Sequence, residues 1–254
     1  MRDASAGPRA GPAPLVVGDH RTVELINLGG PHGEALLTRI AANIGAAVGA
    51  VEAFWGTDWP HHIVVAATGS DRQFAALASA GAGGGTAGQW SDVAAVAVAD
   101  RVDPGRRLAV GQRVVFAPGA AAISTTALRI VLDHELFHYA ARADTAFDAP
   151  RWLTEGVADF VARGTATPAG RPAPPLTLPS AADLDAVGPQ RAQAYDRAFW
   201  FARFVAESYG TAKLRELYLA ACGPGHTDPP AAVRQVLGVG LPGVLTRWQQ
   251  WLTG

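Results

Sequence analysis

The sequence predicts an α+β fold: a mixed α/β N-terminal part built on a small sheet, then a mainly helical C-terminal part. Three observations lead there. Short runs rich in β-branched residues recur at 22–28, 62–67, 93–99 and 113–117. Apolar residues at helical spacing separate the first two runs and fill most of the chain after Gly119. The 254-residue chain is 49% hydrophobic and 17% charged, enough to bury a substantial core.

Residues 1–14 read as a flexible tail, because Pro and Gly punctuate them and nothing apolar recurs. Residues 15–254 then form one domain, with a mixed α/β subdomain over 15–118 and a helical subdomain over 119–254. Thr22 to Leu28 is the first predicted strand, ended by Gly29-Gly30-Pro31. From Glu34 to Phe54, Leu36, Ile40, Ile44, Val48 and Val51 recur at a spacing that predicts one amphipathic helix. His62 to Ala67 is a strand, and Asp71 to Ala80 a short helix capped by Ser70 or Asp71. Gly81 to Gly88 reads as a surface turn; no Gly-Lys-Ser/Thr follows, so it is not a phosphate-binding loop. Val93 to Ala99 and Arg113 to Ala117 are two further strands.

In the second half, Ser124 or Thr125 caps a helix reaching about Arg142. Asp148 is placed to cap the next, with Pro150 in its first turn and Gly164 just past its end. The Pro-rich stretch 165–180 reads as an extended surface loop. Helices at about 190–208 and 211–221 flank Tyr209-Gly210. Another starts near Pro230, and the last ends at Trp248 and Trp251.

Composition excludes several classes. The formal net charge is -1 with no long basic run, so nucleic acid is not an expected partner. A lone cysteine, Cys222, rules out an internal disulfide and a Cys-based zinc site; it reads as a small buried residue near a helix end. No run of about 18 apolar residues is present, so no transmembrane segment is expected. The N-terminus lacks the apolar stretch of a signal peptide. As given, the chain would stay in the cytoplasm, although a soluble part of an exported or anchored protein fits equally. The oligomeric state is not legible. His61 and His62 are adjacent on a strand, point to opposite faces and cannot converge on one ion. His20 and His32 have no visible partners. Trp200, Phe201, Phe204, Trp248 and Trp251 have helical spacing and read as core.

The informative segment is His134-Glu135-Leu136-Phe137-His138, inside the predicted helix, with Leu128, Val131, Leu132 and Leu136 available for its buried side. Positions four apart on a helix lie about 40° apart around the axis and about 6 Å along it. Two imidazoles can therefore point at one ion. Zinc suits neutral imidazole nitrogens, and a catalytic site keeps one position for water. Glu135 would lie beside that water as the base that takes its proton.

A pentapeptide can arise by chance, so its context matters. A hydrolytic two-histidine site needs a third protein ligand, and Glu155 stands seventeen positions after His138, in Trp152-Leu153-Thr154-Glu155-Gly156-Val157-Ala158-Asp159-Phe160. Residues 144–150 supply the turn that folds this helix back on the first. Asp159, four residues on, shares the face of Glu155 and is placed to accept the second ring N–H of a ligand histidine. Gly156 is costly mid-helix, which suggests a close helix approach at the metal.

HELFH followed by PRWLTEGVADF resembles the glutamate-zincins, and more narrowly the peptidase MA-like bacterial proteins, whose second motif reads close to Trp-Leu-x-Glu-Gly-x-Ala. The specific matches span about residues 113–160, with a weaker likeness in AYDRAFWFARFVAESYG at 194–210. The resemblance implies a zincin-like catalytic domain holding one zinc ion per chain through His134, His138 and Glu155. It implies Glu135 as general base and Asp159 behind a ligand histidine. It also implies that Arg113 to Ala117 is an edge strand beside the cleft, along which a peptide could pair.

Hydrolysis also wants a donor aimed at the developing oxyanion. Tyr195, near the start of its helix, is the first candidate, and His226, in the loop Gly223 to Pro229, the second. Two functions then compete. One is a zinc peptidase acting on peptide or protein substrates; the absence of a recognisable free-amine anchor before the metal helix leans toward endopeptidase action. The other is a catalytically silent zincin-fold protein serving as a binding or scaffold module, which would have no need of Glu135.

Overall fold

The computed structural model describes residues 15–80, 93–164 and 177–253. The predicted tail at 1–14, the glycine-rich turn at 81–88 and residues 165–176 of the Pro-rich loop lie outside them. The expected α+β architecture is present, with a five-stranded sheet in the first half and helices through the second.

Strands β1 (Leu15–Val17), β2 (Arg21–Leu28), β3 (His62–Thr68), β4 (Ala95–Val98) and β7 (Arg113–Phe116) form the sheet in the order β1-β2-β3-β7-β4. β2, β3 and β7 are parallel neighbours, while β1 and β4 run antiparallel at the two margins. A second ribbon, β5 (Arg101–Asp103) with β6 (Leu108–Val110), interrupts the path from β4 to β7. Alternation along β7 sets the layers. Val114 and Phe116 enter the main core, while Val115 packs on the opposite face with Phe74 of α3 (Asp71–Ser79). Ser70 caps α3 by accepting from the Gln73 N–H.

The predicted helix 34–54 is two helices, α1 (Gly30–Ala41) and α2 (Ile44–Trp55), bent by 48° at Ala42-Asn43. The Asn43 side chain donates to the Arg39 carbonyl at 2.7 Å, finishing the first helix as the second begins. Both halves keep their Leu36, Ile40, Ile44, Val48, Val51 stripe in the core, so the periodicity runs through the bend.

Four helices then carry the site. α4 (Thr125–Ala141) is capped by Ser124, whose hydroxyl accepts from the Ala127 N–H. It buries Leu128, Leu132 and Leu136 completely and Val131 in part. Tyr139 ties it to β3 by donating to the His62 carbonyl at 2.7 Å. α5 (Arg151–Arg163) starts from Pro150 without a side-chain cap. Asp148, expected there, sits two residues too early and faces His226 instead, 3.2 Å away. α6 (Ala181–Asp185) and α7 (Pro189–Tyr209) follow. Gly210, at φ +98°, then makes the turn into α8 (Thr211–Cys222), where Cys222 is buried as expected. α9 (Pro229–Leu237) and α10 (Leu241–Thr253) close the chain, and Trp200, Phe201, Phe204 and Trp248 lie in the core with Trp251 against it. Among the described residues no single helix is long and apolar enough to cross a membrane.

Gly156 of α5 does sit at a close helix approach, and the neighbour is α7. A Cβ there would lie 2.5 Å from the Ala198 carbonyl oxygen of α7. The tight contact therefore sets the α5–α7 distance, and α7 is the helix that presents Tyr195.

Candidate metal centre

The turn through 142–150 folds α5 against α4, and the two helices bring three side chains together. His138 Nε2 lies 3.1 Å from His134 Nε2, and Glu155 Oε2 lies 3.3 Å from His134 Nε2 and 3.5 Å from His138 Nε2. Zinc–nitrogen bonds of 2.0–2.1 Å in a tetrahedron imply ligand atoms about 3.3–3.4 Å apart. The triangle has that size, and its donor set of two imidazoles and one carboxylate suits zinc.

Asp159 fixes one proton of His134: Nδ1–H donates to Asp159 Oδ1 at 2.9 Å, because a carboxylate can only accept, so the neutral ring offers its Nε2 lone pair to the triangle. The other Asp159 oxygen accepts from Arg163 Nη2 at 2.8 Å, and Arg163 Nη1 also reaches Asp196 at 3.2 Å. Burial works to lower the His134 pKa, but its hydrogen bonds to Asp159 and Glu155 outweigh that and hold it well above the ordinary value. Burial likewise works to raise the Glu155 carboxyl, yet His138 and His134 hold it well below the usual carboxylate range. The two shifts are reciprocal, the imidazoles and the carboxylate each favouring the charged form of the other.

Glu135 stands apart from the triangle. Its Oε2 accepts from the Ala97 N–H of β4 at 2.7 Å, and burial raises its pKa against the pull of His134 and His138. The second Ala97 group is also taken: its carbonyl accepts from Arg142 Nη2 at 2.6 Å. These contacts lie on the side of β4 away from β7, at the margin of the sheet. The expectation that Arg113 to Ala117 forms the edge beside the cleft is thus corrected. β7 is interior, because β4 folds back antiparallel along it and becomes the edge facing the site.

A cavity of about 350 Å³ opens over these groups, lined by His134, Glu135, His138, Arg142, Glu155 and Tyr195 among others. A second lobe of about 460 Å³ shares His134, Glu135 and Tyr195 and continues past Val131, Arg163 and Arg191. Tyr195 therefore stands where the lobes meet. Among the described residues its hydroxyl makes no hydrogen bond, and the charge of Glu155 together with burial raises its pKa, so it stays a donor. His226 is not brought to the cavity; Asp148 and the Thr227 carbonyl hold it elsewhere. His61 and His62 diverge as expected, toward Asp19 and Glu24 respectively.

Sequence reasoning missed Arg142, Arg151 and Tyr218 on the cavity wall. Arg142 had a readable signal, lying four residues beyond His138 and seven beyond Glu135 on one helical stripe. The Ala97 amide had none, since a backbone group carries no sequence signature. No family model matches the chain, and comparison with curated proteins and with solved structures returns no similar protein.

Proposed function

We propose that this chain is a zinc-dependent hydrolase, most simply a peptidase, in which His134, His138 and Glu155 hold one zinc ion. The observation that carries this is the triangle of two Nε2 atoms and one Oε2 at 3.1–3.5 Å, with a separate carboxylate, Glu135, beside it on the same cavity wall. A structural site has no use for that extra carboxylate. The likeness of HELFH and WLTEGVADF to glutamate-zincin motifs supports the same assignment.

A zinc ion held there would supply Lewis acidity, lowering the pKa of a water and polarising a carbonyl. Glu135, anchored on Ala97 through one oxygen, keeps the other to accept the proton of the attacking water and pass it to the leaving nitrogen. Tyr195 is placed to donate to the carbonyl oxygen as charge develops on it. Asp159 keeps His134 in the tautomer that offers Nε2. The two joined lobes give a chain room on both sides of Glu135, which favours cleavage within a peptide over trimming at its end.

A peptide-library digest with wild type and Glu135→Gln tests this. Wild type should cleave and the variant should not, while zinc content stays unchanged. Zinc retained without cleavage by either protein would favour the silent binding-module alternative.

A further inference from the structure

Arg142 is a cation on the site wall that touches no carboxylate among the described residues. It closes α4 on the stripe that carries Glu135 and His138, and it lines the cavity with them. One of its five N–H donors is spent on the Ala97 carbonyl. Among the described residues it forms no ion pair, although neighbouring arginines do: Arg151 with Asp185, and Arg163 with Asp159 and Asp196. Burial works to lower its pKa, and the charges of Glu135 and Glu155 offset that only in part. The cavity charge agrees. With Arg151 paired to Asp185, the wall sets Glu135 and Glu155 against Arg142, so a divalent ion in the triangle would offset both carboxylates and leave the charge of Arg142 in excess. Phe147, 71% exposed on the same wall, offers apolar surface beside that charge.

We propose that Arg142 anchors a carboxylate of the substrate, so that this site selects acidic peptides. The carboxylate comes from an Asp or Glu side chain near the bond to be cleaved, or from a free C-terminus. This deepens the peptidase assignment of the same cavity and rests on it for the word substrate, but its test does not need turnover.

The probe is a set of dansyl-labelled alanine hexapeptides with one Glu walked through each position. Each peptide is matched by its Gln counterpart, with free and amidated C-termini. Binding is read by anisotropy on Glu135→Gln protein, both zinc-loaded and chelator-treated. An acidic peptide should bind about ten-fold tighter than its neutral match, as one charge-assisted contact gives. Arg142→Gln should erase that preference while leaving neutral-peptide affinity within about two-fold, and Arg142→Lys should keep part of it. A preference for Glu over Gln locates the carboxylate on a side chain, and one for free over amidated ends locates it at the terminus. Equal binding of acidic and neutral peptides by the parent protein overturns the proposal, as does failure to bind any of them. So does a preference that survives Arg142→Gln. If Arg142→Gln weakens both classes alike, the side chain merely supports β4 through Ala97, and the proposal falls. An Arg142-dependent preference in protein that takes up no zinc would refute the metal assignment and leave this one standing.

Discussion

Replacing Gly156 by alanine sets two quantities of opposite sign against each other. Helix propensity favours the change by about 1 kcal/mol at an interior position. Packing opposes it, because the new Cβ would lie 2.5 Å from the Ala198 carbonyl oxygen and 2.8 Å from its carbon. Carbon and carbonyl oxygen sit comfortably at about 3.3 Å, so α7 would have to retreat by roughly 0.8 Å at that point. The obstacle is helix backbone and cannot swing aside. Overpacking of this kind costs about 1–3 kcal/mol and here sits at the upper end, leaving a net loss of about 1–2 kcal/mol. For a chain of this size each kcal/mol moves Tm by about 2–4 °C, so Gly156→Ala should melt roughly 2–8 °C below wild type. Circular dichroism melts at matched pH and metal content measure it. A variant melting at or above the wild-type temperature would show that propensity outweighs the α5–α7 contact, and the spacing argument would be wrong.

Asp159→Asn should keep the fold but weaken zinc binding by about 10–100-fold, since the His134 ring loses the carboxylate that orients it; chelator competition reads this, and unchanged affinity would contradict it. Arg21, fully buried, pairs with Asp19 and Glu52, donates to the carbonyls of Thr57, Trp59 and Pro60, and stacks 3.7 Å over Trp59. Arg21→Met should therefore cost about 3–5 kcal/mol in urea denaturation, and a loss under about 1 kcal/mol would refute that network as a stabiliser. The Thr227 carbonyl and Asp148 hold His226 above its ordinary pKa. A raised folded-state value means this contact contributes fully below about pH 6.5 and fades as pH rises through the folded pKa. Wild type should lose thermal stability across that rise relative to His226→Gln; parallel melting profiles for the two proteins would sink the idea.

What was legible in the sequence followed from local geometry. Ser70 and Ser124 cap where a hydroxyl precedes an apolar helical run, and Glu155 and Asp159 share a face because four residues make about one turn. What was missed depends on partners distant in the chain. The stripe from Leu36 to Val51 hid the α1–α2 bend, because both halves pack on the same core and only Asn43 marks the break. Strand order is equally silent: nothing in Val93 to Ala99 tells that it pairs outside Arg113 to Ala117 and takes the edge from it. The β5–β6 ribbon is too short to leave a pattern. Asp148 looked like a cap, but the helix begins three residues later, at Arg151. The burial of Arg21 depends on residues more than 30 positions away.

Zinc content bears most directly on the central claim. The protein is loaded with zinc, dialysed, and assayed by inductively coupled plasma mass spectrometry beside a His134→Gln/His138→Gln variant whose melting confirms that it folds. About one zinc per wild-type chain and none in the folded variant is the predicted result. No stoichiometric zinc in wild type, or one equivalent retained by the variant, would contradict His134, His138 and Glu155 as the metal centre.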